Sequence, residues 1–129
     1  MSESITSHLS TRIRELYEHE LDHQVSAINY HLFDQTLILI LEGTVTPPEQ
    51  LLTRISQKDL ARQVRDVLDR LVQPQIRTLI EEVMNVEVVD FLSDTAIESG
   101  RTGAIAIFEF RPNLPPQTDR QSTSAPGSA

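Results

Sequence analysis

An apolar stripe holds helical register from Leu60 to Met84 and passes through a proline, and any fold of this chain has to bury it. Leu60, Val64, Val67, Leu68, Leu71, Val72, Ile76, Leu79, Ile80 and Val83 recur three or four residues apart, with Pro74 among them. That spacing puts one apolar face along a helix. Pro74 removes one backbone donor, which costs ~3 kcal/mol in an unadapted helix interior, so a kink or restart is expected there with the register kept. At ~1.5 Å per residue, the helix outruns a small sheet, and part of its stripe calls for further cover.

Upstream, Gly43-Thr44-Val45-Thr46-Pro47-Pro48-Glu49 marks where a helix begins. Thr46 is suited to the N-cap, Pro47 to the first helical position, and Glu49 sits three residues past the cap to complete a capping box. Leu51, Leu52 and Ile55 continue this helix as far as Ser56-Gln57. At the N-terminus Ile5, Leu9, Ile13, Leu16 and Leu21 predict an amphipathic helix from Thr6 to about Asp22. The period then changes: Val25, Ala27 and Phe33, followed by the apolar run from Thr36 to Leu41, predict a hairpin. A second pair of strands is predicted from Val86, Val88, Val89 and Phe91, and from Ala104 to Phe110, separated by a long loop over Ser93–Gly103.

Shifting the chain by 63 residues lays Ile13 on Ile76, Leu16 on Leu79, Leu21 on Met84 and Val25 on Val88. Each segment runs from helix into hairpin, so either a duplication or convergence of two amphipathic helices accounts for the match. Both lead to the order α-β-β-α-α-β-β. Two antiparallel hairpins with an apolar face need helices over it, so the expected fold is a two-layer α+β domain, a four-stranded sheet covered by helices, over residues 1–111. Residues 112–129 hold four of the seven prolines and are otherwise rich in Ser, Thr and Gln, the composition of a disordered tail.

With Lys+Arg 11 against Asp+Glu 19 the net charge is −8, which disfavours nucleic acid as a partner. With no cysteine there is no disulfide framework, thiolate metal site or Cys nucleophile. Residues 1–20 lack an apolar signal core, and the longest apolar run, Leu37–Leu41, is too short for a membrane span. A soluble, cytoplasmic protein is expected. His19-Glu20-Leu21-Asp22-His23 matches H-E-x-x-H, the pattern of a zinc hydrolase in which His19 and His23 would ligate and Glu20 would act as base. Against that reading stand the charged Asp22 inside the motif and a helix that ends within it. No third ligand follows at a known spacing, and a solvated helix end is the expectation, with no metal, no cofactor and no catalytic residue. Ser93-Asp94-Thr95 in the predicted loop could hold a polar ligand or form an ordinary Asx turn. Arg12, Arg14, Arg54, Lys58, Arg62, Arg65 and Arg70 alternate with Asp and Glu and are expected to pair along exposed helix faces.

Several of these segments resemble the MpsC-like bacterial domain family. They are Leu39-Ile40-Leu41-Glu42-Gly43-Thr44-Val45-Thr46-Pro47-Pro48-Glu49-Gln50, Arg62-Gln63-Val64-Arg65 leading to Pro74, Ile80-Glu81-Glu82-Val83-Met84-Asn85-Val86-Glu87-Val88-Val89, and Ser93-Asp94-Thr95. The resemblance spans about residues 5–110. It implies an accessory or regulatory protein, without enzymatic activity, serving a membrane cation or inorganic-carbon transport system. Such a protein would dock on a protein partner at the cytoplasmic face of a transporter, peripheral to the membrane. Candidate interaction residues are Thr46, Glu49, Asp94, Thr95 and Ile107, and a homodimer is expected because Ala104–Phe108 would make a poorly protected sheet edge. The alternative from a different class is the metal-dependent hydrolase built on His19, Glu20 and His23.

Overall fold

The computed structural model describes residues 2–112. Elements follow in the order α1 (Glu3–Leu21), β1 (Ala27–Phe33), β2 (Thr36–Glu42), α2 (Pro47–Arg54), α3 (Lys58–Met84), β3 (Val88–Ala96) and β4 (Arg101–Phe108), the predicted α-β-β-α-α-β-β layout. The tail predicted over 112–129 lies, apart from Pro112, outside the described residues. Helix α1 begins earlier than its apolar pattern suggests because the Ser2 hydroxyl caps it, accepting from the Ile5 amide at 3.2 Å.

The strands form one open antiparallel sheet in the order β1-β2-β4-β3. Leu37, Leu39 and Leu41 of β2 and Ala104, Ala106 and Phe108 of β4 face the helices. They meet Leu9, Ile13 and Tyr17 of α1 and Val72, Ile76, Leu79, Ile80 and Met84 of α3 in one core.

Three expectations are corrected. Strand β4 lies in the middle of the sheet, so Ala104–Phe108 is no edge; the edges are β1 and β3, and β3 carries a register shift between Val88 and Asp90. Ser93-Asp94-Thr95 belongs to β3, not to a long loop, because Thr95 pairs with Thr102 on β4 and the chain turns only over residues 97–100. The Gly100 amide closes that turn on the Ala96 carbonyl at 2.9 Å. Of the kink or restart expected at Pro74, the restart does not occur: α3 is continuous from Lys58 to Met84, with the proline exposed.

The 63-residue shift has a structural counterpart. It maps α1-β1-β2 onto the second half of α3 with β3 and β4, and it matches the buried pairs Leu9 and Val72, Ile13 and Ile76, Tyr17 and Ile80, Val25 and Val88. Both helices stop on a left-handed residue at matching positions, Asp22 (φ 51°) and Asn85 (φ 55°). Ile40 and Gly103, also 63 apart, pair with each other where β2 meets β4. The two helix-hairpin units are thus related by a pseudo-two-fold axis through that pair.

Candidate functional site

A buried polar cluster lies where the end of the sheet meets α2 and α3. The sequence places a helix N-terminus directly after β2, with Gly43 making the exit turn at φ +73°; a Cβ there would lie 2.6 Å from the Ser26 hydroxyl, so only glycine fits. Thr46 caps α2, and its backbone amide (2.9 Å) and hydroxyl (2.8 Å) both donate to one Glu49 oxygen. Glu49 is wholly buried, and a lone buried carboxylate would be very costly. Arg65 supplies the counter-charge from the inward face of α3. Its Nε and Nη2 donate to the two Glu49 oxygens at 2.7 Å each, Nη2 also reaches the Thr44 carbonyl at 3.0 Å, and Nη1 reaches Asp69 at 3.0 Å. Arg65 is only 1% exposed. The arrangement is a bidentate fork on one carboxylate with a second carboxylate at its side.

Beside the ion pairs runs a chain of hydroxyls. Thr102 on β4 bonds to Thr44 at 2.8 Å and to Thr95 on β3 at 2.6 Å, and Tyr17 of α1 hydrogen-bonds to Thr102. Burial pushes the Tyr17 phenol up to about 12, against the pull of the nearby Arg65 charge. Burial also raises Asp69 above the ordinary carboxylate range, opposed by its bond to Arg65. Although burial alone would lower it, Arg65 is held above its usual value by its hydrogen bonds to Glu49 and Asp69. Each charge is met by another within the cluster.

Of the residues singled out from the sequence, Thr46, Glu49 and Thr95 join this cluster. All three are buried, where they tie α2 to the end of the sheet. Asp94 lies at the rim, its carboxylate accepting from the Thr95 amide at 2.9 Å and standing 3.9 Å from Arg62. Ile107 is remote, half-buried on the sheet face turned away from the helices. Arg65, expected on a solvated face, is the main correction: it falls among Ala61, Leu68 and Val72 on the inward stripe, and a charge at that register is the signal that marks a buried partner. Thr44, Thr102 and Tyr17 carry no such signal, because threonine in strands and tyrosine in a stripe are ordinary packing residues.

His19, Glu20 and His23 do not assemble. The helix ends at Leu21, Asp22 turns left-handed, and the His23 ring points at the Gly43 carbonyl, 2.7 Å from Nε2. His19 instead lines an open groove of about 490 Å³ between α1 and α3, with Arg12, Pro74, Thr78 and Glu82. No group of three His, Cys, Asp or Glu side chains among the described residues could hold a metal ion. The described helices also include none long and apolar enough to cross a membrane. Comparison with family models gives a match over residues 1–110 to the family described as "Na+-translocating membrane potential-generating system (MpsC)". Comparisons with curated proteins and with solved structures give no match.

Proposed function

The chain belongs to the MpsC family, and from that membership we propose that it is a non-catalytic accessory protein that binds the protein machinery of a Na+-translocating, membrane-potential-generating system. The family's tie to such a system makes it a component; the accessory role, the docking on a transporter at the cytoplasmic face and the link to inorganic-carbon transport are our reading. One observation carries it. The charged residues of the buried cluster are consumed by one another, whereas large apolar side chains stand exposed: Leu51 of α2, Ile55 at its C-cap, and Leu60, Val67 and Leu71 of α3. A surface of that kind favours macromolecular association over small-molecule chemistry.

The same reading includes self-association as a homodimer. In the native cell, deleting the gene is expected to lower the membrane potential reported by a voltage-sensitive dye. Cross-linked complexes isolated from the membrane fraction are expected to contain an integral ion-transport protein. An unchanged potential, together with capture of soluble proteins only, would overturn the proposal. Purification without a histidine tag, followed by metal analysis, should return substoichiometric zinc; one tightly held zinc per chain would favour the hydrolase reading.

A further inference from the structure

The sheet has two faces, and the described elements cover only one. On the other, the inner strands present Ile38 and Ile40 of β2 and Ile105 and Ile107 of β4, flanked by Phe33 on β1 and Leu92 on β3. Phe33 is 44% exposed, Leu92 58% and Ile105 39%. An antiparallel sheet with one wet face normally alternates apolar inward with polar outward. Here β2 is apolar on both faces, the pattern of a strand buried on both sides, and β4 alternates alanine inward with isoleucine outward. Polar side chains appear on this face only at its margin: Asn29 and His31 on β1, Asp90 and Asp94 on β3, Glu42 with Arg101 across one end, and Thr36 at the other. An apolar centre ringed by polar groups is the anatomy of a protein interface.

We propose that this face is closed by the same face of a second copy, through a two-fold axis that runs along the strands midway between β2 and β4. The inference rests on the homodimer reading above and assigns its surface. Residues cross-paired within the sheet then face each other between copies. Ile38 meets the Ile105 position of the second copy, and Ile40 packs toward the space left by Gly103. Glu42 comes opposite Arg101, and Arg101 opposite Glu42; these two already pair within one chain at 3.5 Å, so the dimer closes an alternating ring of four charges. Asp94 faces Asn29 and no carboxylate faces another. An axis across the strands, centred on the Ile38 and Ile105 row, would instead set Asp90 against Asp94 of the second copy, two like charges in contact.

The size fits. Four strands ~4.8 Å apart and seven residues at ~3.3 Å give a face of roughly 20 by 23 Å, and two such faces remove on the order of 1,000 Å² from solvent. That lies at the lower end for a specific interface, with an apolar centre to compensate. Face-to-face sheets pack ~10 Å apart with strands crossed by about 30°, so the product is a four-layer α/β/β/α dimer.

Light scattering of the full chain at ~100 μM, where interfaces of this size usually hold, is expected to give twice the 14.6 kDa chain mass. Because the chain has no cysteine, Asn29→Cys and Asp94→Cys proteins, substituted on the outer strands far from the axis, can each be made with a single thiol. A short bis-maleimide should link the two proteins when mixed and neither by itself. Leu92→Asp, at an exposed site, should weaken association at least tenfold while leaving the circular dichroism spectrum unchanged. A monomer mass would overturn the proposal, as would a dimer that shows no mixed cross-link. A dimer indifferent to Leu92→Asp but dissociated by Leu71→Asp on α3 would place the interface on the helices, overturning this face while leaving the homodimer reading intact.

Discussion

At the residue scale, the Arg65–Glu49 fork is where sequence, fold and stability meet. Removing one partner of a buried ion pair leaves the other charged and dry, a loss of about 3–5 kcal/mol, whereas replacing both with apolar groups can be nearly neutral. Arg65→Met is therefore expected to unfold the domain or lower its stability by about that amount in a denaturant melt, and Arg65→Met with Glu49→Leu to recover a large part of it. Arg65→Lys should fail to rescue, because a single ammonium cannot bond both Glu49 oxygens and the Thr44 carbonyl in the observed fork. Tyr17 gives a pH prediction. Its phenol titrates near 10 when unfolded and at about 12 when folded, so its contribution is fully present below pH 10 and is lost as pH rises through 12. Stability measured by chemical denaturation should fall over that window by up to about 2–3 kcal/mol, and Tyr17→Phe should flatten this part of the profile. Part of the cluster is legible in the sequence: Thr46 and Glu49 announce themselves by capping-box spacing, a local rule. Arg65 could not be assigned from spacing alone, since Asp69 four residues on is the signature of an exposed helix pair as much as of a buried one.

At the scale of elements, helix periodicity carried further than strand boundaries. Both long helices and the break between α2 and α3 follow from apolar spacing and from the Ser56-Gln57 stop, where Ser56 takes a positive φ of 65°. The β3–β4 hairpin departs from its sequence pattern because Ser93, Asp94 and Thr95 have the composition of a turn, yet Ser93 and Thr95 point toward the helices and Thr95 finds a hydroxyl partner there. Tertiary hydrogen bonds overrode a local propensity. The strand order was equally out of reach, since two consecutive hairpins can join through any of their edges. The helix stops make a prediction at this scale. Asn85 ends α3 at φ 55°, with its amide bonded to the Glu81 carbonyl, a position that suits Gly or Asn and penalises a β-branched side chain. Asn85→Gly should leave the melting curve within ~0.5 kcal/mol of the parent, and Asn85→Val should cost on the order of 1–2 kcal/mol.

At the scale of the whole molecule, the two helix-hairpin units share one sheet and one core, and the extra helix α2 with the N-terminal half of α3 stands outside their pseudo-symmetry. That asymmetric portion carries the exposed Leu51, Ile55, Leu60, Val67 and Leu71, the surface on which the proposed docking rests. The seam between units has a kinetic consequence. Within each unit the hairpin pairs residues close in sequence, so each can begin to form locally. Joining β2 to β4 is different: it brings together Ile40 and Gly103, 63 residues apart, and its loop-closure entropy, growing as ~(3/2)RT ln n, is paid before that ladder rewards it. The rate of folding should therefore be governed by closure of the seam. In stopped-flow refolding, Leu39→Ala, on the seam opposite Ala104, and destabilising substitutions in the Ile97–Gly100 turn should both slow folding, while substitutions confined to α2, outside the two units, should act mainly on unfolding.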